Sequence, residues 1–394
     1  MPRIKSAVLA SAVLSCSIVW GQTAPQTTPS DQTPAPAAAP TPAPAPAPAP
    51  PPSWTTLGKV NFSAMVDGYY GFNDNHPDSG FNELYNFDDK TNQVDLNMLK
   101  LTGSMDPDPI GFRFDIGLGR TFDIIHTPEP NPEFFRYVEQ AYISVKPKGW
   151  KGFEADFGDF VTSAGAEVIE SKDNWNYSRS LLFSWAIPYY HFGVRTSMPI
   201  GSSLNVGVQV VNGWNNIVAP AGVNMTTVGL TSALTRKKYT WSNNYYVGPE
   251  NTTIANINKN RNLYDTTLLL TPTDKLNAYL NFDYGNQHRP LGGSDHWIGI
   301  AGALHFQLNK YFAISPRAEY YDDSTGFTTG TRQKLHEVTV TGEYKIMSGL
   351  LSRLEFRRDG SDVPFFNRGT VPFATKSQTT ATIGVIAFFP PPKS

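Results

Sequence analysis

Apolar and polar residues alternate along most of the chain from residue 57 onward. Phe62, Ala64 and Val66 fall on one side of an extended chain, and Ser63 and Asp67 fall on the other. The same period of two recurs in the segments 112–118, 204–210, 276–283 and 337–346. This period gives each β-strand one apolar face and one polar face. The pattern therefore predicts an all-β protein.

Sixteen segments of this kind are predicted as strands. They begin near Leu57, Thr91, Gly111, Tyr137, Gly152, Tyr189, Ser203, Val223, Tyr239, Arg261, Lys275, Asp295, Tyr311, Lys334, Leu350 and Ser377. Short turns alternate with longer loops rich in Gly, Asn and Asp, a rhythm that a soluble β-sandwich has no reason to keep. Short turns on one rim and long loops on the other are typical of outer-membrane barrels. We therefore predict a transmembrane antiparallel up-and-down β-barrel of about 16 strands.

Aromatic residues gather near the ends of the predicted strands. They are Tyr69, Tyr70, Phe72, Tyr189, Tyr190, Phe192, Tyr245, Tyr246, Tyr311, Phe312, Tyr320, Tyr321, Phe388 and Phe389. Ordinary sheet packing explains any one of them alone. Their repeated position at strand ends indicates the aromatic girdles that mark the two membrane interfaces of a barrel.

Composition agrees with a barrel and excludes several other classes of protein. Of 394 residues only 17% are charged, below the roughly 25% of soluble domains, and the net charge is −2. A chain this close to neutral lacks the basic surface expected of a nucleic-acid-binding protein. The single Cys excludes an internal disulfide framework and a Cys-based zinc site. No run of about 20 apolar residues follows residue 57, so no membrane-spanning helix is predicted.

The N-terminal part divides into two segments. Residues 1–21 are predicted to be a signal peptide, because Arg3 and Lys5 precede an apolar stretch. Cys16 offers an alternative, lipoprotein-type processing site. Residues 22–56 are predicted to be a Pro/Ala-rich, disordered periplasmic linker, because such a composition favours extended polyproline II. The predicted barrel then covers residues 57–389, and residues 390–394 form a short tail.

Several stretches of the sequence resemble the outer-membrane β-barrel porins of the OmpL-like type. The resemblance is carried by the segments 67–70, 111–115, 158–170, 174, 177–183, 191–194 and 212–215. Asp159 departs from the family, in which Lys is commoner between the Gly and the Phe of this motif. The resemblance covers most of residues 53–389. It implies a pore in the outer membrane of a Gram-negative bacterium, without a cofactor.

The resemblance also places the narrowest part of the pore. In porin-like barrels the third long loop, here residues 161–188, commonly folds inward. The predicted acidic groups at the constriction are Glu167, Glu170 and Asp173, and the predicted basic groups of the pore are Arg113, Arg179, Arg195, Arg317 and Arg353. Opposite charges across a narrow opening set ion selectivity. The alternative is that these charges only hydrate the lumen or pair with neighbouring side chains.

The predicted function is passive diffusion of small hydrophilic solutes or ions. Two alternatives stay open: a substrate-specific sugar or anion channel, for which Trp175 and Trp214 supply aromatic surfaces in the lumen, and a structural anchor of the outer membrane. The predicted partners are membrane lipid and lipopolysaccharide, the cell wall through the linker, and two further copies of the chain in a homotrimer. No nucleophile elbow, phosphate loop or His-Glu-x-x-His motif occurs, so neither an enzyme nor a metal site is predicted.

Overall fold

The computed structural model describes residues 56–57, 59–126, 133, 135–218, 226–251 and 257–390. The predicted signal peptide, Cys16 and nearly all of the Pro/Ala-rich linker lie outside the described residues. The same holds for the tail from residue 391 onward. The described part of the chain is therefore the barrel with its loops.

Sixteen antiparallel strands form one closed sheet. They are β1 (Val60–Asn73), β2 (Val94–Met105), β3 (Ile110–Leu118), β4 (Val138–Val145), β5 (Glu154–Val161), β6 (Tyr190–Ile200), β7 (Leu204–Val211), β8 (Thr227–Arg236), β9 (Tyr239–Asn251), β10 (Asn258–Thr273), β11 (Leu276–His288), β12 (Ser294–Gln307), β13 (Phe312–Asp323), β14 (Gln333–Met347), β15 (Leu350–Ser361) and β16 (Ser377–Phe389). Each strand pairs with the next, and β16 pairs with β1. The predicted barrel is confirmed. The largest error in a strand start is four residues, at β8, which was predicted from Val223 and begins at Thr227.

The alternation of the sequence becomes an apolar outer face and a polar lumen. In β1, Val66 and Tyr70 are exposed on the outside, whereas Asp67 and Tyr69 are buried inside. A closed sheet pairs every backbone group internally, which the hydrocarbon of a membrane requires. On the outer face, Tyr245, Tyr264 and Tyr284 are in register on β9, β10 and β11. This row forms part of an aromatic girdle near the rim that carries the long loops.

The helices are short and belong to the long loops. They are the α-helix Arg120–Ile125, the 3₁₀ helices Phe135–Tyr137 and Ser171–Asp173, and the π-helix Leu182–Ala186. None of the described helices is long and apolar enough to cross a bilayer. Two small strands, Phe366–Arg368 and Val371–Thr375, form a hairpin in the last long loop, and the two-residue strand Thr56–Leu57 pairs with the start of β1.

Two long loops lie inside the barrel. We call residues 162–189 the inner loop and residues 74–93 the first loop. The indole Nε1 of Trp185 donates to the carbonyl of Leu84 at 3.2 Å, and Asn86 donates to the carbonyl of Ser184 at 3.0 Å. These contacts join the two loops in the lumen. The sequence predicted an inward position for the third long loop but not for the first.

Candidate functional site: the inner loop and the lumen wall

Carboxylates on the wall bind backbone N–H groups of the inner loop. Glu355 of β15 accepts hydrogen bonds from the amide of Tyr177 at 2.6 Å and that of Ser178 at 3.0 Å. Glu319 of β13 accepts from the amides of Leu181 and Leu182 at 3.0 and 3.2 Å. The period of two points both carboxylates into the lumen. They thus satisfy donors of a loop that has few backbone partners of its own.

Arginines on the same strands bind the backbone carbonyls of the inner loop. Arg317 of β13 donates to the carbonyl of Ser178 at 2.8 Å. Arg353 of β15 donates to the carbonyls of Asn174 and Asn176 at 2.5 and 3.1 Å. A guanidinium carries five donors in one plane, so one side chain can bind several carbonyls. The wall therefore binds both the N–H groups and the carbonyl groups of the inner loop's backbone.

Glycines on the wall allow the inner loop to approach closely. A Cβ atom at Gly384 of β16 would lie 2.3 Å from the ring of Tyr177. A Cβ atom at Gly299 of β12 would lie 2.7 Å from the side chain of Leu182. Side chains at either glycine would push the loop away from the wall.

Glu167 and Arg317 form a fully buried ion pair. Glu167 Oε1 accepts from Arg317 Nη1 at 2.8 Å, and its Oε2 accepts from the amide of Ser180 at 2.6 Å. Arg317 also lies 3.2 Å from both Glu319 and Glu337. One guanidinium is therefore shared by three carboxyl groups. Both members of the pair belong to the contact between loop and wall, and neither reaches the open part of the lumen.

Arg179 is also buried. Its guanidinium donates to the carbonyls of Ile169 and Tyr177, which lie within the inner loop itself. It lies over the ring of Phe87 in the first loop, 5.1 Å from the ring centre. Arg179 therefore braces the inner loop against the first loop.

Glu170 and Arg113 come together around a lysine that the sequence alone did not single out. Lys100 of β2 contacts Glu170, lies 2.5 Å from Glu139 and is 3.7 Å from Asp115. Arg113 binds the same Asp115 at 2.9 Å and keeps 35% of its side chain exposed. Burial opposes the ionisation of Glu170. The positive charges of Lys100 and Lys172 outweigh burial and lower the pKa of Glu170 to about 2. Glu170 is therefore ionised at neutral pH.

The other predicted charges lie in separate places. Asp173 of the inner loop pairs with the adjacent Lys172, and both side chains are about a quarter exposed to the lumen. Arg195 of β6 binds Asp156 at 2.9 Å and lies over the ring of Phe160, 4.5 Å from its centre. Asp173 therefore faces water, whereas Arg195 is held on the wall.

The two predicted aromatic residues of the lumen belong to different clusters. Trp175 of the inner loop stacks on Tyr279 of β11, with ring centres 5.2 Å apart. Trp214 lies under the guanidinium of Arg261 at 4.9 Å and meets Trp297 edge-on. These contacts do not align the two indoles along one path.

A family model described as "Putative beta-barrel porin-2, OmpL-like" matches residues 59–389. The chain belongs to this family of porins. It is therefore a passive channel of the bacterial outer membrane, which confirms the resemblance read from the sequence. No curated protein matches the sequence.

Solved structures show the same fold. The anion-selective porin from Comamonas acidovorans is 12% identical, with a TM-score of 0.58, and the match covers 84% of this chain and 99% of that one. The channel DcaP of Acinetobacter baumannii is 11% identical, with a TM-score of 0.58 and coverage of 84% and 97%. The trimer form of OmpT from Vibrio cholerae is 12% identical, with a TM-score of 0.55 and coverage of 84% and 99%. At these identities the likeness shows the fold.

The interior of this porin is rich in acidic groups. Among the described residues, sixteen carboxylate side chains are buried, against six side chains of Lys and Arg. The acids are Asp67, Asp88, Asp89, Asp115, Glu139, Asp156, Asp159, Glu167, Glu250, Asp265, Asp283, Glu319, Asp323, Glu337, Glu355 and Asp359, and the bases are Lys100, Arg179, Arg195, Arg317, Arg353 and Arg357.

The alternation of the sequence contained a signal for the cluster of acidic side chains around Lys100. Lys100 stands between Leu99 and Leu101, so its place in the pattern already puts the ammonium in the lumen. The burial of the first loop also had a signal. Phe81, Leu84, Tyr85 and Phe87 interrupt an otherwise polar loop, and all of them except Phe81 are buried.

The buried carboxyl group of Asp88 predicts that the packing of the first loop depends on pH. Its carboxylate accepts no hydrogen bond from another described residue, and burial raises its pKa to about 7 in spite of the nearby Arg179 and Arg357. An acid whose pKa is raised on folding is stabilised when protonated. The packing of the first loop should therefore be tightest below about pH 4, the ordinary pKa of Asp, and should weaken as the pH rises through 7.

Hydrogen exchange of the amides in residues 74–93, corrected for intrinsic rates, tests this expectation. Protection should be greater at pH 5.5 than at pH 8, and Asp88→Asn should remove most of the difference. The variant Asp78→Asn, at an exposed position of the same loop, serves as the control. An unchanged pH dependence in Asp88→Asn would show that another group is responsible.

Proposed function

We propose that this porin admits small hydrophilic solutes beside the inner loop and prefers cations to anions. The observation that carries the proposal is the ionised Glu170, which keeps 14% of its side chain exposed in an interior where buried carboxyl groups outnumber buried Lys and Arg. Rings and clusters of one charge set the selectivity of water-filled pores. The inner loop supplies the narrowing, because it lies in the lumen and is bonded to the wall through its backbone.

Glu170 and Glu167 have different roles in this proposal. Glu170 is ionised and keeps 14% of its side chain exposed, so its field reaches passing ions. The charge of Glu167 is paired with Arg317, and only 3% of the Glu167 side chain is exposed. Glu170 therefore acts on selectivity, and Glu167 acts on the position of the loop.

Reversal potentials of single channels in a KCl gradient test the proposal. The native porin should favour K⁺ over Cl⁻. Glu170→Gln should lower that preference, because it removes one negative charge and leaves Lys100 with one carboxylate fewer. Glu167→Gln is the matched control and should leave the ratio nearly unchanged. A native preference for Cl⁻, or an equal effect of both substitutions, would contradict the proposal.

Two further aspects of the proposal concern specificity and partners. The Comamonas acidovorans porin is anion-selective, and the acid excess of this interior argues against extending that property to this chain. The trimer form of OmpT supports a homotrimer for this porin as well.

The signal peptide, the linker and its contact with the cell wall remain predictions from the sequence. A sugar-specific path through Trp175 and Trp214 is not favoured, because the two indoles lie in separate clusters.

A further inference from the structure

Two aspartates face each other on the lumen wall. Asp265 of β10 and Asp283 of β11 are direct partners across the strands, and both are fully buried. Their carboxyl groups lie within hydrogen-bond distance of one another. Like charges placed directly opposite on neighbouring strands repel each other. Such a pair persists only if something between the two groups offsets the repulsion.

Asp265 is bound as a carboxylate. It accepts hydrogen bonds from the amide of Gly165 at 3.0 Å, from Asn281 Nδ2 at 3.0 Å and from Asn244 Nδ2 at 2.7 Å. Three N–H donors on one carboxyl group favour its ionised form. These three donors therefore stabilise a negative charge on Asp265.

Asp283 is bound differently. Neither of its Oδ atoms accepts a well-aligned hydrogen bond from the described residues, and no described Lys or Arg forms an ion pair with it or with Asp265. Of the groups that act on Asp283, Asp265 and Glu319 are acidic, and the amide of Asn281 is neutral. The hydroxyl of Thr267, two residues beyond Asp265 on the same strand face, also has no hydrogen-bond partner in the described part of the chain. A buried carboxylate in such surroundings requires a cation or a proton.

We propose that Asp265 and Asp283 bind one divalent cation, and that Ca²⁺ is the ion that fits. The available ligands are all oxygens: the free carboxylate of Asp283, the carboxylate of Asp265 and the hydroxyl of Thr267. Hard cations prefer such ligands. Ca²⁺ accepts bidentate carboxylates and irregular geometry, whereas Mg²⁺ demands near-octahedral geometry and keeps its waters.

The site would fix the beginning of the inner loop. Besides the amide of Gly165, which binds Asp265, the amide of Ala166 donates to Asn281 Oδ1 at 3.1 Å. Asn281 in turn binds Asp265. The ion would therefore hold the loop on the β10–β11 side, whereas the arginines hold it on the β13–β15 side. Binding of Ca²⁺ would also offset part of the acid excess at this height of the lumen.

Calcium analysis and thermal unfolding of the full chain in detergent test the proposal. Protein purified without chelator should carry about one Ca²⁺ per chain, as measured by mass spectrometry of the metal. CaCl₂ should raise the Tm by several degrees over EGTA, with NaCl holding the ionic strength constant. Asp283→Asn should lose both effects. Asp359→Asn is the matched control, because Asp359 is equally buried but is paired with Arg357 at 2.7 Å. Its Tm should still respond to CaCl₂.

The alternative is a proton shared by the two carboxyl groups. In that case the purified protein would contain no calcium, and its Tm would depend on pH but not on CaCl₂. The absence of calcium, or a Tm that does not respond to CaCl₂, would overturn the proposal. The calcium content of the native chain decides the question even if Asp283→Asn fails to fold. The proposed function is tested separately, by the reversal potentials of Glu170→Gln and Glu167→Gln.

Discussion

Removing residues 165–186 should raise the single-channel conductance of this porin severalfold. The segment fills the lumen between the wall and the first loop, and the amide of Thr162 donates to the carbonyl of Tyr189 at 2.9 Å. Because the two ends of the inner loop are neighbours, a short Gly-Ser linker can join them without moving β5 or β6. The deletion therefore widens the channel and leaves the barrel closed. Planar-bilayer recordings in KCl measure the effect.

The deletion needs a control and a second readout. Replacing loop 289–293, where Leu291 is 91% exposed, alters the same rim without touching the lumen and should leave the conductance unchanged. Liposome swelling should show that the deletion variant admits larger sugars than the native porin. An unchanged conductance would show that the inner loop does not limit the flow of ions. The proposed place of the constriction would then be wrong.

Replacing Arg317 by Ala should lower the free energy of unfolding by about 3–5 kcal/mol. The guanidinium contacts Glu167, Glu319 and Glu337, and all four side chains are buried. Without it, Glu167, Glu319 and Glu337 remain close together, and only the more distant Arg357, 3.8 Å from Glu337, supplies a counter-charge. Removing one partner of a buried ion pair costs more than the pair itself contributes, because the remaining charge stays desolvated.

Denaturant unfolding followed by tryptophan fluorescence measures this loss. Arg317→Lys should give an intermediate value, since it keeps the charge but cannot bind the carboxylates and the carbonyl of Ser178 together. Arg236→Ala, at an exposed position near a short turn, should leave stability almost unchanged. A loss below about 1 kcal/mol for Arg317→Ala would place it with ordinary surface ion pairs and contradict the buried arrangement of these four side chains.

The strands could be predicted from the sequence because their signal is local. A period of two is read within a few residues, and it also assigns each side chain to the lumen or to the lipid. That is why the alternation alone is enough to place Arg317, Arg353 and Lys100 in the lumen. Loop lengths then order the strands, since short turns join neighbours.

The partners of these charges could not be predicted in the same way. Glu355 binds the amide of Tyr177, a residue 178 positions away in the chain. Such a contact depends on where the inner loop comes to lie, which no periodicity encodes. For the same reason the sequence could select Glu167 and Glu170 together but could not show that one is buried against Arg317 while the other faces the lumen.

The contacts between the wall and the inner loop affect how the sequences of such porins can evolve. Glu355 and Glu319 bind peptide N–H groups, and Arg353 binds peptide carbonyls, so these contacts depend little on the identity of the residue that carries the peptide group. Many substitutions in the loop would therefore leave its path intact. Selection can alter the lining of the passage one residue at a time, while the wall that holds the loop stays the same.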